Sequence, residues 1–114
     1  MKTITEKEKI TLAELKDMSK KMDDLVKAVV DIEKGIMSVD GELHSDEEAA
    51  LLEEGSEQEN LWGINLYPEL SGDDFIEFDS MINLRPKQNN RSRDVEDPEI
   101  RKKILKVVNN LVAK

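Results

Sequence analysis

A chain of 114 residues with 38% hydrophobic and 4% aromatic side chains supports one modest core, built mostly from Val, Ile, Leu and Met, and is too short for two. Its formal net charge of −9 argues against general nucleic-acid binding, where affinity rests on Lys and Arg neutralising phosphates. With no Cys it has neither disulfides nor thiolate metal sites, and no stretch nears the roughly 20 apolar residues of a membrane span.

Met1 to Lys9 alternates Lys and Glu with Ile4 the one apolar residue after Met1, and reads as a flexible tail, residues 1–9, before a single α+β domain over 10–114. That tail lacks an apolar signal segment, so a cytoplasmic location is expected. Thr11 with Glu14 makes a capping box, Ile10 can staple onto Leu15, and Leu12, Leu15, Met18 and Met22 form one apolar stripe of a first helix. Leu25 to Glu33 alternates as a strand. Glu33-Lys34-Gly35 reads as a hairpin turn with a positive φ at Gly35, and Ile36 to Leu43 returns with Met37, Val39 and Leu43 inward and Ser38, Asp40 and Glu42 outward.

Ser45 with Glu48 reads as a second capping box, Asp46 and Glu47 suit the helix dipole, and Gly55 stops the helix. The only Trp and the only Tyr fall in Leu61 to Pro68, a strand with Trp62, Ile64 and Leu66 on one side and Gly63, Asn65 and Tyr67 on the other. Phe75 to Leu84 reads as a fourth strand, its inward side Ile76, Phe78, Ile82 and Leu84. A polar, basic loop from Lys87 to Val95 follows, and Asp97-Pro98 opens a last helix lined by Ile100, Ile104, Val107, Val108, Leu111 and Val112. The order helix-strand-strand-helix-strand-strand-helix predicts a two-layer α+β sandwich. In it a largely antiparallel four-stranded sheet carries helices on one face and leaves the other polar.

Several blocks resemble a family of small bacterial and archaeal proteins catalogued only as a domain of unknown function. They are Asp40-Gly41-Glu42-Leu43-His44, Gly55-Ser56, Leu61-Trp62-Gly63-Ile64-Asn65-Leu66-Tyr67-Pro68, Ile76-Glu77-Phe78 and Ile82-Asn83-Leu84-Arg85-Pro86. The resemblance runs through Asp97-Pro98-Glu99-Ile100-Arg101. After Arg85-Pro86 this chain has Asn89-Asn90 where the family often has Gly-Asn. The resemblance implies a prokaryotic, cytosolic, single-domain protein, and it brings no activity, cofactor or partner with it.

Period-two spacing gathers Asp31, Asp40, Glu42, Asn65, Tyr67, Glu77, Asp79, Asn83 and Arg85 on the outward sheet face, with His44 at its rim and Arg85 able to pair with Glu77 or Asp79. The leading expectation is a non-catalytic binding or self-association module that uses this face and takes a protein or small-molecule ligand. The alternative is a divalent-metal-dependent enzyme, with Asp40, Glu42 and His44 holding Mg²⁺ or Mn²⁺. No cofactor is expected on the leading reading. Apolar residues of the same parity, Val29, Ile36, Leu61, Phe75 and Met81, suggest that the face is covered by a second copy in a homodimer.

The charge layout sharpens this. Residues 1–34 carry eight basic and eight acidic side chains, 35–84 fourteen acidic and no Lys or Arg, and 85–114 nine basic and four acidic. An acid block facing a basic end reads either as segregated solvated surface or as complementarity, within one fold or between two copies. The basic loop from Arg85 to Arg93 could contact phosphate, but no aromatic is interleaved for stacking on bases.

Overall fold

The computed structural model describes residues 1–113; Lys114, the last residue of the expected domain, lies outside them. Its centre is the pair β3 (Val26–Asp31) and β5 (Leu61–Leu66), which run antiparallel over six residues each, from Val26 opposite Leu66 to Asp31 opposite Leu61. On one side β3 pairs with β4 (Ile36–Val39) through the Gly35 turn, where φ is +69° as expected. Beyond β4 lies β1 (Lys2–Ile4), and beyond β5 lies β6 (Ile76–Glu77). The five-stranded order is β1-β4-β3-β5-β6, antiparallel throughout.

The α+β architecture with a largely antiparallel sheet is therefore as the sequence predicts. The expected tail is not a tail: Lys2–Ile4 forms the fifth strand, and Ile4 and Ile10 are fully buried. A second, small sheet pairs β2 (Ile10–Thr11) in parallel with β7 (Val112–Ala113).

Three helices complete the fold. Helix α1 (Leu12–Ser19) has the predicted capping box: the Glu14 amide donates to Thr11 Oγ1 and the Thr11 amide to Glu14 Oε1, each at 3.1 Å. Helix α3 (Pro98–Leu111) starts on Asp97, whose carboxylate accepts the Glu99 amide at 2.8 Å. Both helices pack on one sheet face, where Ala28, Val30, Met37, Val39, Trp62, Ile64 and Leu66 meet Leu15, Ile104, Val107, Val108 and Leu111. Each such side chain stabilises the fold by roughly 1.5–3 kcal/mol on burial.

Helix α2 (His44–Glu53) takes the opposite face. Leu51 closes a second, smaller core with Val29 and Leu61, with Ile36 and Ile82 against it. Ser45 is not its cap; the helix begins one residue earlier, after Leu43, and no side chain caps it. The outward sheet face is consequently not a wet surface. Every residue of β5 is buried, whichever way it points.

The expected fourth strand is cut short. Pairing stops at Glu77, and Met81–Asn83 is a 3₁₀ turn. Leu84, expected inside, is 45% exposed, and so is Leu43 at 54%, because β4 ends at Val39 and Asp40 turns the chain with φ +65°. No helix among the described residues is long and apolar enough to cross a membrane.

Candidate functional site

Gly63 explains why the polar groups lie where they do. A Cβ there would sit 2.5 Å from the Ser80 Cβ, so only glycine lets the 80–84 segment lie flat against β5. Asn83 then takes the place of a neighbouring strand. Its Oδ1 accepts the Gly63 amide at 2.8 Å, and its Nδ2 donates to the Gly63 carbonyl at 2.9 Å and the Arg93 carbonyl at 3.0 Å. Asn90 holds the following loop, its Nδ2 donating to the carbonyls of Asn83 and Asp94, each at 2.7 Å, and its Oδ1 accepting the Glu96 amide at 2.8 Å. Asn89 adopts φ +59°, a left-handed conformation that Asn tolerates in place of Gly.

Arg85 is likewise a structural clamp. It donates to the carbonyls of Ile82 (2.9 Å), Gln58 (2.7 Å) and Leu61, and its guanidinium stacks 4.7 Å from the Trp62 ring centroid. Its carboxylate neighbour is Glu48, at 3.9 Å, in place of the expected Glu77 or Asp79. Burial pulls its pKa down and Glu48 opposes that. Asp31 is fully spent as well: Oδ1 accepts the Glu33 and Lys34 amides and Oδ2 the Ser56 hydroxyl at 2.6 Å.

The remaining candidates come together at one end of β5. Asn65 is 7% exposed, and its Nδ2 donates to Glu77 Oε1 at 2.9 Å and to the Asp79 carbonyl at 3.3 Å. Those partners only accept, which fixes the amide's orientation and leaves Asn65 Oδ1 with no donor. Tyr67 donates to the same Glu77 oxygen at 3.1 Å, and burial raises its pKa, helped by that carboxylate. His44 Nε2–H donates to the Ile64 carbonyl at 2.8 Å, leaving Nδ1 as an acceptor in the neutral ring. Burial lowers the His44 pKa; Lys27 adds to that, while the Ile64 carbonyl, Asp79 and Asn65 oppose it. Asp79 is paired with Arg93 at 2.7 Å.

Of these, His44, Asn65, Asp79 and Arg93 line a cleft of about 260 Å³ that also takes in Lys27, Ser45 and Ser80, with Leu43 and Met81 on its rim, while Glu77 and Tyr67 lie outside it. Lys27 had no assigned part in the sequence, and Arg93 was only one residue of a basic loop. Tertiary contact alone brings both here.

The proposed Mg²⁺ or Mn²⁺ ligands do not converge. Asp40 pairs with Lys21 at 3.2 Å, Glu42 is exposed, and His44 is held by Ile64. Among the described residues no three His, Asp or Glu side chains cluster in a way that would hold a metal ion. Val29 and Leu61, which motivated dimerisation through this face, lie beneath the chain's own α2, with Ile36 against them.

Glu47 is the residue that the sequence reading missed. It belongs to α2 and is wholly buried where Gly41 leaves room for its side chain: a Cβ on Gly41 would lie 2.6 Å from the Glu47 Cγ. Its Oε2 accepts the Gly41 amide at 2.9 Å, its Oε1 has no partner, and burial pushes its pKa up to about 9. A glycine six residues ahead of the acid was the available signal.

Compared with known families, residues 3–111 match one described as "Protein of unknown function (DUF5674)". The chain belongs to that family. No curated protein and no solved structure matches it. In this DUF5674 protein the Ile-Asn-Leu-Arg-Pro block locks a turn onto β5, Asn83 through Gly63 and Arg85 through the Leu61 carbonyl. The Trp-Gly-Ile-Asn block supplies Gly63 for that contact and Asn65 for the cleft.

Proposed function

We propose that this chain is a non-catalytic, cytosolic binding domain whose site is the cleft at the end of β5. The observation that carries the reading is the placing of two exposed apolar side chains, Leu43 (54%) and Met81 (63%), around a polar floor of His44, Asn65, Asp79 and Arg93. Apolar lips over a few convergent polar groups are the usual makeup of a recognition site.

Size supports a macromolecular ligand. At about 260 Å³ the cleft falls below the roughly 300–1,000 Å³ of pockets that enclose drug-sized ligands, so it suits one inserted side chain of a peptide. His44 Nδ1 calls for a hydrogen-bond donor on that side chain. Catalysis finds less support, since Glu77 is occupied by Asn65 and Tyr67, and Asp79 by Arg93.

Amide NMR with a panel of short capped peptides, each offering one donor-bearing side chain, tests this. Localised shifts at His44, the Asn65 side-chain amide and Arg93 are expected, and they should vanish in Met81→Glu. A parallel Mg²⁺ or Mn²⁺ titration that shifts Asp40, Glu42 and His44 while peptides shift nothing would replace this reading with the metal-dependent one.

A further inference from the structure

Sharing no residue with the cleft, a groove of about 480 Å³ runs between the 70–76 loop and α3. Leu12, Phe75, Ile76 and Val112 line it, and two exposed leucines stand at its sides, Leu70 (50%) on the loop and Leu105 (38%) on the helix. Neither leucine belongs to either core. Large apolar side chains grouped over an apolar floor mark a contact surface, unlike the same residues scattered singly.

Charges of opposite sign flank the groove, with Asp73 in its lining and Asp74, Lys102 and Lys106 next to or one turn from lining residues. Asp73 and Asp74 lie on the loop, and neither makes an ion pair among the described residues. On α3, Lys102 and Lys106 are one turn apart beside Leu105. Lys102 has only a solvent-exposed pairing with Glu99 at 3.4 Å, and Lys106 has none among the described residues. Apart from that exposed Lys102–Glu99 pairing, the charges on the two sides are unsatisfied in a complementary way.

We propose that this groove is the self-contact of a twofold-symmetric homodimer. A twofold axis along the groove sets Leu70 of one copy against Leu105 of the other and closes the two apolar floors over each other. The same axis carries each acidic loop onto the partner copy's Lys102 and Lys106, so the charge match is made twice. A foreign partner would need two apolar side chains flanked by opposite charges in this order; a second copy supplies them by symmetry. The inference is independent of the peptide cleft, whose residues take no part in it.

Sedimentation velocity on the full chain, from micromolar to millimolar concentration, decides the matter. The mass should rise toward two chains, and association should weaken at high salt, because exposed ion pairs are screened beyond about 8 Å at physiological ionic strength. Leu105→Glu should weaken the dimer at least about tenfold while circular dichroism stays unchanged. The pair Asp73→Lys and Asp74→Lys should weaken it too, and adding Lys102→Glu and Lys106→Glu on the same chain should restore it, since both sides are then inverted. A one-chain mass at every concentration would overturn the proposal. So would a dimer indifferent to Leu105→Glu, or one abolished by Met81→Glu instead, which would put the contact at the cleft.

Discussion

Glu47 shows how far a single residue can depart from what its neighbours in sequence suggest. Burial holds it as a neutral acid, with a pKa near 9 against 4.5 for an ordinary glutamate, despite Lys27 and the amino terminus favouring its charge. Between those two values the folded chain keeps a proton that the unfolded chain has released. Its contribution to stability is therefore fully present below about pH 4.5 and declines as pH rises toward about 9, on the order of 1 kcal/mol per pH unit. Denaturant unfolding at several pH values across that window should show the decline. Glu47→Gln, which keeps an acceptor for the Gly41 amide, should flatten it; an unchanged slope in that variant would place the dependence elsewhere. Asp46, one residue earlier, is exposed and fits the helix-dipole reading that the sequence gives to both.

At the scale of elements, alternation reads β3 and β5 well and fails over 75–84. Trp62, Ile64 and Leu66 share the main core as their spacing predicts. After Glu77, however, the backbone leaves the ladder, and Asn83 supplies the hydrogen bonds a strand would have made. Side-chain pairing of this kind has no period, so the pattern of apolar residues cannot announce it. The only local sign is Gly63 in the middle of a strand, a residue that marks close approach of another segment. Asn83→Ala would leave both the amide and the carbonyl of Gly63 unpaired, at roughly 1–3 kcal/mol for each buried group. A drop of a few kcal/mol in unfolding free energy is expected, together with faster amide exchange through 80–96. Loss of stability without that local loosening would mean that Asn83 does not hold the segment.

Across the whole molecule, opposite charges meet within one chain. Lys16 reaches Glu69, Lys21 reaches Asp40, Arg85 reaches Glu48 and Arg93 reaches Asp79, so both flanking regions pair with the acidic middle. The chain ends are tied in as well: β1 borders the main sheet, and β2 pairs with β7. Ile4, fully buried at that border, should cost about 2–5 kcal/mol when cut back to Ala, the range for large-to-small changes in a packed core. A shift of the urea midpoint at unchanged slope checks it, and a change within error would return Lys2–Ile4 to the status of a tail.

The sequence by itself determined the α+β class, the capped starts of α1 and α3, the Gly35 turn and the inward side of β5. Each of these is set by neighbours within a few residues, through φ preference, capping and alternation. Only the tertiary structure decided that α2 lies on the opposite sheet face from α1 and α3. With that helix in place, carboxylates and amides expected in water become buried clamps, and a small cleft at the end of β5 is what stays open. Which face of a short helix meets a sheet depends on the total area that all the elements can bury together, a quantity that no local stretch of sequence contains.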